Sequence, residues 1–125
     1  MLLNINELII GRFHPLLVHL PIGIYFIFIL LYVYNTYRSK PVLALSYNVI
    51  LWIAAIITTL TAITGYILAP LKGYDIPSVS NHRISGITVS IWAWFVWYLF
   101  YASANSKIKS ISLVVLSAII VITGH

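Results

Sequence analysis

Four histidines are the side chains of this sequence best suited to chemistry. His14, His19, His82 and His125 belong to a chain of 125 residues that is 62% hydrophobic and has only two acidic side chains. A neutral imidazole binds transition metals and haem iron, and it takes up or releases a proton near neutral pH. A haem site, a metal-ion site and a proton pathway are therefore the chemistries to consider.

Composition places these histidines in a membrane protein. With a mean hydropathy of +1.03, seven basic residues and two acidic ones, the chain cannot cover a soluble globule with polar surface. A transmembrane helix needs about 20 largely apolar residues. Four stretches come close to this length: 16–34, 42–69, 84–101 and 108–123. The sequence predicts an all-α integral membrane protein, a single domain over residues 1–125 that forms a four-transmembrane-helix bundle.

The segments between the spans predict how the helices connect. Residues 35–41 and 102–107 are short enough to make antiparallel hairpins, whereas Pro70 to Asn81 reads as the one long loop. In residues 1–13, apolar side chains recur at helical spacing against polar ones. This pattern predicts a short amphipathic N-terminal segment that lies in the membrane interface.

Four spans return both termini to one side of the membrane, and all four histidines fall on that side. The basic residues predict which side it is, because short cytoplasmic loops are enriched in Lys and Arg. The two hairpin loops and their flanks contain four basic residues and no acid: Arg38, Lys40, Lys107 and Lys109. We therefore expect cytoplasmic hairpin loops and outer termini. Because the basic residues are scattered and not clustered, the net charge of +5 does not indicate a nucleic-acid partner.

Local spacing makes the start of the first span unusual. His14 precedes Pro15, which predicts that His14 caps the helix, and His19 should lie roughly 7 Å deeper. Pro21 has no N–H group, so the Leu17 carbonyl loses its usual helical donor. We expect either a kink or a new partner for that carbonyl.

Two histidines have a glycine one helical turn further along. Gly23 follows His19 by four residues, and Gly86 follows His82 by four. A position without a side chain on the same face admits a flat planar group or a neighbouring helix. This spacing ranks His19 and His82 above the other histidines.

Two arginines and a stripe of small residues lie at the same end of the predicted bundle. Arg12 and Arg83 are suited to hold haem propionates, or to reach lipid phosphates with their charged groups. Thr58, Thr61 and Gly65 form a stripe on the second span that favours close helix packing. Each feature thus allows a structural role as well as a role in binding.

Three motifs together resemble a known family. The string GRFHPLLVHLPIG runs from Gly11 to Gly23 and contains His14 and His19. A turn at 73–75 followed by His82, Arg83 and Gly86, and the sequence at 123–125 with His125, are similar to second and third motifs. The chain resembles a bacterial membrane-domain family of unknown function that is often found beside planctomycete-type cytochrome c domains. The resemblance implies respiratory electron transfer, with cytochrome c domains or membrane-complex subunits as partners. With the outer termini expected from the basic residues, we expect a protein of the bacterial inner membrane with periplasmic termini.

These observations lead to one main hypothesis, a membrane electron-transfer component that binds b-type haem near the periplasmic face. Two axial ligands on different helices are needed, and His19 with His82 or His125 would supply them. His14, the remaining histidine, Arg12 and Arg83 would then surround the cofactor.

Two alternatives remain open. Three or four imidazoles, with or without Asp75, would bind Cu or Zn instead. A non-catalytic accessory or anchor subunit would need no cofactor. A proton pathway is disfavoured, since no acid lies within a span. No nucleophile with a neighbouring base is evident, so an electron-transfer or accessory role is favoured over an independent enzyme.

Overall fold

The protein folds as four helices that follow one another along the chain. The computed structural model describes residues 5–38, 44–68 and 76–123. Within them the helices are α1 (Ile5–Tyr37), α2 (Ala44–Leu68), α3 (Ile76–Tyr101) and α4 (Ser106–Thr123). Each contains a stretch long and apolar enough to cross a membrane: Leu16–Tyr37, Ser46–Ile67, Ser80–Tyr101 and Ser106–Thr123. The predicted all-α membrane bundle is confirmed.

The bundle has two ends that differ in structure. We call the end where α1 and α3 enter their apolar stretches the terminal end, and the opposite end, with the α3–α4 connection, the hairpin end. Large apolar side chains such as Phe26, Ile91 and Ile122 are exposed on the helix surfaces. In a multi-pass membrane protein these surfaces contact lipid, which is as apolar as they are.

The first helix is longer than predicted. Residues from Ile5 onward are helical and continuous with the first span, so the N-terminal segment is part of α1. The prediction that His14 caps the helix is wrong, because His14 lies well inside α1. A helix that is already propagating loses only one backbone hydrogen bond at Pro15. Two helical residues five apart are about 140° apart around the axis, so His14 and His19 lie on different faces.

The third helix also begins earlier than predicted. It starts at Ile76, whereas the sequence places the span at residue 84 and a loop as far as Asn81. Pro77 stands in the first turn, where the missing N–H of proline would have no helical partner in any case. The long connection is therefore shorter than predicted, and residues 69–75 lie outside the described residues.

Interlocked aromatic rings close the hairpin half of the bundle. Phe28 of α1 is fully buried and meets Tyr47 of α2 edge-on at 5.4 Å and Phe100 of α3 at 5.3 Å between ring centroids. The Tyr32 ring lies 5.4 Å from that of Phe100, so Tyr32 packs in this cluster as well. Aromatic pairs in this geometry add about 0.5–1.5 kcal/mol each beyond burial.

Hydroxyl groups join α2 to α3 near the middle of the bundle. Thr59 Oγ1 donates to Ala55 O at 2.8 Å, accepts from Trp94 Nε1 at 3.0 Å and lies 2.9 Å from Ser90 Oγ. Since a hydroxyl has one proton and two lone pairs, Ser90 is the donor to Thr59. The Thr59 hydroxyl then uses all its hydrogen-bonding capacity, with one bond inside α2 and two bonds to α3.

Neighbours in the sequence are also the main neighbours in space. α2 packs on α1 and on α3, and α4 packs on α3. Trp92 Nε1 of α3 donates to the Ser112 carbonyl of α4 at 3.0 Å, and Leu113 and Leu116 of α4 are buried. The bundle is therefore built around the α2–α3 pair.

A tight turn connects α3 to α4. Ser103 has a positive φ of 52°, and Ala104 N donates to Leu99 O at 3.0 Å, as in a Schellman motif that ends a helix. Asn105 Oδ1 then accepts from Lys107 N at 2.9 Å and caps α4. The short hairpin predicted here is confirmed.

Candidate functional site

A cavity of about 100 Å³ lies between the helices in the terminal half of the bundle. All four helices line it, with largely apolar walls. Its polar lining residues include Tyr25 of α1, Thr58 and Thr61 of α2, and His82, Arg83 and Ser85 of α3. From His82 to Val89, both of which line it, the cavity extends roughly 10 Å along α3 at about 1.5 Å per residue.

One wall of the cavity contains the backbone defect predicted at Pro21. The Leu17 carbonyl has no helical donor there, and Thr61 Oγ1 of α2 lies 2.9 Å from it in hydrogen-bonding geometry. Thr61 shares its proton with its own helix, since Ile57 O lies at 2.8 Å. Thr61 therefore supplies the new partner that the sequence leads us to expect.

The Tyr25 hydroxyl lies buried at this site without a hydrogen bond. Only 3% of Tyr25 is exposed, and its oxygen has no partner of acceptable geometry in the described part of the chain. The Thr58 hydroxyl donates its own proton to Ala54 O at 2.7 Å, and its lone pairs offer Tyr25 a weak acceptor nearby. Leaving a buried hydroxyl unpaired costs about 1–3 kcal/mol, so this group needs an explanation.

Toward the terminal end, the cavity is lined by the Arg83 guanidinium, which stacks on a tyrosine ring, and by the His82 imidazole. The Arg83 guanidinium lies 3.9 Å from the centroid of the Tyr66 ring, a close cation–π contact. Arg83 is half-buried, while His82 beside it is exposed. This contact differs from both roles predicted for Arg83, because it joins α3 to α2.

The structure separates the two leading histidines. His82 lines the cavity, whereas His19 is exposed and does not line it. The glycines four residues after these histidines differ in the same way, since Gly86 lines the cavity and Gly23 is exposed. A Cβ atom added at either glycine would meet no atom within 4 Å. Neither glycine therefore marks a close contact with a neighbouring helix.

The structure does not describe the side chains of the other predicted site residues. Arg12 and His14 lie in α1, and His125 and Asp75 lie outside the described residues. Among the residues that the structure describes, no three His, Cys, Asp or Glu side chains form a group able to hold a metal ion. Because the side chains of His14 and His125 lie outside the described part of the chain, a Cu or Zn site built from three imidazoles stays a prediction.

Axial ligation of b-type haem by His19 and His82 needs both imidazoles at one cofactor. Of these two histidines, His82 lines the cavity and His19 does not. Haem bound through His19 and His82 stays a prediction from the sequence.

Sequence reasoning missed Tyr25, Tyr66 and Ser85. A signal existed for Tyr25, which stands in the middle of the first span, away from the interfaces where membrane tyrosines concentrate. A hydroxyl at that depth needs a partner. Nothing in the sequence marks Tyr66 as the partner of Arg83, because that contact depends on how α2 and α3 pack.

No protein-family model, curated protein or solved structure matches this chain. The resemblance to the cytochrome-associated membrane domain therefore stays a prediction. What the structure adds is a cavity with a defined set of hydrogen-bonding groups inside a multi-pass membrane bundle.

Proposed function

We propose that this protein is a ligand-binding subunit of a membrane electron-transfer system, and that the cavity in its terminal half holds the ligand. The observation that supports this proposal is the buried Tyr25 hydroxyl, which lies in a cavity lined by all four helices and has no well-formed hydrogen bond to the described part of the chain. A ligand that accepts a hydrogen bond from Tyr25 would satisfy it.

The lining of the cavity supports a binding role over a purely structural one. A buried hydroxyl without a well-formed hydrogen bond is costly, and an anchor or accessory subunit without a ligand gains nothing from it. A larger residue at position 86 would also fill the space, because a Cβ atom added at Gly86 meets no atom within 4 Å.

The electron-transfer part of the proposal is supported by the family resemblance alone. Cytochrome c domains or other subunits of a membrane complex are the electron donors and acceptors that it suggests. The excess of basic residues at the hairpin end supports placing the cavity near the periplasmic face of the bacterial inner membrane. This position would put the bound ligand close to periplasmic partners.

Analysis of the purified protein tests this function directly. We expect an organic extract of wild-type protein in mild detergent to contain one redox-active small molecule per chain, detected by mass spectrometry. Gly86→Leu should lose it, because the new side chain enters the cavity, while Gly23→Leu should keep it. Equal amounts in both variants would contradict the proposal.

A visible spectrum of the same samples separates haem from other ligands. We expect neither a Soret band nor a dithionite-reduced α-band. If both bands appear and His19→Ala removes them, haem b bound through His19 takes the place of the cavity ligand.

A further inference from the structure

We propose that Arg83, held in place by Tyr66, binds the phosphate group of a membrane phospholipid on the outside of the bundle, where α2 and α3 meet at the terminal end. The site goes beyond the proposed function, because the lipid lies outside the bundle and its binding does not depend on a ligand in the cavity. Three features support it: the charge of Arg83, its contact with Tyr66, and the apolar surface beneath the pair.

Arg83 is a cation inside a membrane-spanning stretch. It lies in the stretch Ser80–Tyr101 and is half-buried. Among the side chains that the structure describes there is no carboxylate to pair with it. A charged side chain at the edge of the bilayer is costly unless an anion or water balances it. An anion from the surroundings would therefore stabilise Arg83.

Tyr66 orients the guanidinium without using its hydrogen-bonding groups. The central carbon of the Arg83 guanidinium lies 3.9 Å from the centroid of the Tyr66 ring. So close an approach requires the flat group to lie against the ring by its face, which leaves the N–H bonds in its plane free to donate. Two parallel N–H groups match two oxygens of a phosphate. The stacked arginine is thus prepared to bind a phosphate edge-on.

The depth of the pair selects a lipid phosphate as the anion. Arg83 lies three residues after Ser80, where its membrane-spanning stretch begins, and Tyr66 stands next to Ile67, where the stretch of α2 ends. At about 1.5 Å per residue, both lie within roughly 5 Å of the ends of their apolar stretches. Long cationic side chains at this level extend toward lipid headgroups. The phosphates of the bilayer are therefore within reach of Arg83.

Two contacts define how α2 and α3 are aligned. Thr59 is hydrogen-bonded to Ser90 near the middle of the bundle, and Tyr66 meets Arg83 at the terminal end. Seven residues separate the contacts on each helix, which is about two helical turns. The two helices therefore stay in register between these contacts, and residues halfway between them lie at the same depth.

An apolar surface lies directly beneath the Arg83–Tyr66 pair. Ile63 and Ile87 stand between the two contacts, one turn from Tyr66 and Arg83 respectively, so they share the faces of those residues. They are 49% and 46% exposed and lie within membrane-spanning stretches. A cation at the headgroup level with apolar side chains one turn deeper matches the phosphate and acyl chain of one phospholipid.

Native mass spectrometry of the whole protein in detergent, titrated with dioleoylphosphatidylglycerol, tests the proposal. We expect one lipid to bind saturably before any others. Arg83→Gln should weaken this binding at least tenfold, since it removes charge-assisted hydrogen bonds to the phosphate. Arg38→Gln is the matched control, because Arg38 also lies over a tyrosine, Tyr34 at 5.5 Å, but at the hairpin end. It should leave the affinity unchanged; equal affinity of Arg83→Gln and wild type would overturn the proposal.

Two further probes test the phosphate on the wild-type protein, whatever the stability of the variants. Dioleoylglycerol has the same acyl chains without the phosphate, and we expect it to bind at least tenfold more weakly. Equal binding of the two lipids would overturn recognition of the phosphate. Inorganic phosphate should not displace the phospholipid. Displacement at millimolar concentration would mean that Arg83 binds an anion from solution, and the lipid assignment would be wrong.

A last variant tests Tyr66 as the residue that positions Arg83. Tyr66→Leu keeps the charge and removes the ring, and we expect roughly twofold to fivefold weaker binding of the phospholipid, the range for an exposed cation–π contact. Tyr98→Leu makes the same change at another exposed tyrosine and should have no effect. Undiminished binding by Tyr66→Leu would overturn the proposed geometry of the site.

Discussion

The hairpin half and the terminal half of the bundle are built from the same helices but pack differently. In the hairpin half, rings of α1, α2 and α3 interlock around Phe28, which is fully buried. In the terminal half, a cavity of about 100 Å³ separates the same helices, and hydroxyl groups of Tyr25, Thr58 and Thr61 line it. Side-chain size at the facing positions thus decides whether the helices close or leave space.

This difference indicates that the hairpin half mainly stabilises the bundle and the terminal half mainly serves binding. Helix association in lipid depends on van der Waals packing and interhelical hydrogen bonds, because lipid is as apolar as the helix faces. The aromatic cluster supplies packing at one end, and the contact between Thr61 and Leu17 supplies a hydrogen bond at the other. We therefore expect changes in the hairpin half to affect stability most and changes in the terminal half to affect binding most.

Truncating the centre of the aromatic cluster gives the largest expected effect. Phe28→Ala should lower the free energy of unfolding in detergent by about 3–5 kcal/mol, the usual loss for a buried Phe. Phe26→Ala is the matched control, because Phe26 is 63% exposed and should cost little. Similar losses in the two variants would contradict the packing described for the hairpin half.

Removing the hydroxyl that pairs with the Leu17 carbonyl should have a smaller effect. Thr61→Val should cost about 1–2 kcal/mol, because it leaves a carbonyl without a donor inside the membrane. Thr88→Val, at an exposed threonine that donates within its own helix, should cost less than about 0.5 kcal/mol.

A double-mutant cycle sharpens this second prediction. Pro21→Ala restores an N–H group for Leu17 O, so Thr61→Val should cost less in that background than in wild type. Chemical unfolding of the four proteins measures the coupling. Additive effects would mean that Thr61 does not compensate for the proline.

The α3–α4 turn allows a stabilising change at the hairpin end. Ser103 has a φ of 52°, a conformation that costs about 1 kcal/mol for a residue with a Cβ atom. Ser103→Gly should therefore raise the free energy of unfolding by about that amount. Ser110→Gly, within α4, should lower it, because glycine disfavours helix interiors; the same sign for both would contradict the turn geometry.

The smallest expected effect concerns the two glycines of the terminal half. Gly86→Ala and Gly23→Ala should each raise stability by about 0.5–1 kcal/mol through helix propensity, since neither new Cβ meets an atom within 4 Å. Thermal unfolding in detergent measures both. A loss for Gly86→Ala would show that a helix packs against it and that the cavity is closed there.

Several features of the fold follow from local sequence. The four apolar stretches predict the spans because crossing a bilayer needs a fixed length of apolar helix. Pro21 predicts a carbonyl without a donor because proline has no N–H group. Helix ends were harder to predict, and both α1 and α3 begin earlier than expected, since Pro15 and Pro77 are tolerated inside and at the start of a helix, respectively.

The sequence by itself determined the number of spans, the end of the bundle at which the described histidines His14, His19 and His82 lie, and the backbone defect at Pro21. Only the tertiary structure decided that His82 lines the cavity while His19 is exposed, and that the Tyr25 hydroxyl is buried without a well-formed hydrogen bond to the described part of the chain. The reason is physical. Lipid and protein interior are both apolar, so hydrophobic periodicity does not show which face of a membrane helix points inward. Rotation of each helix about its axis is set by packing against its neighbours.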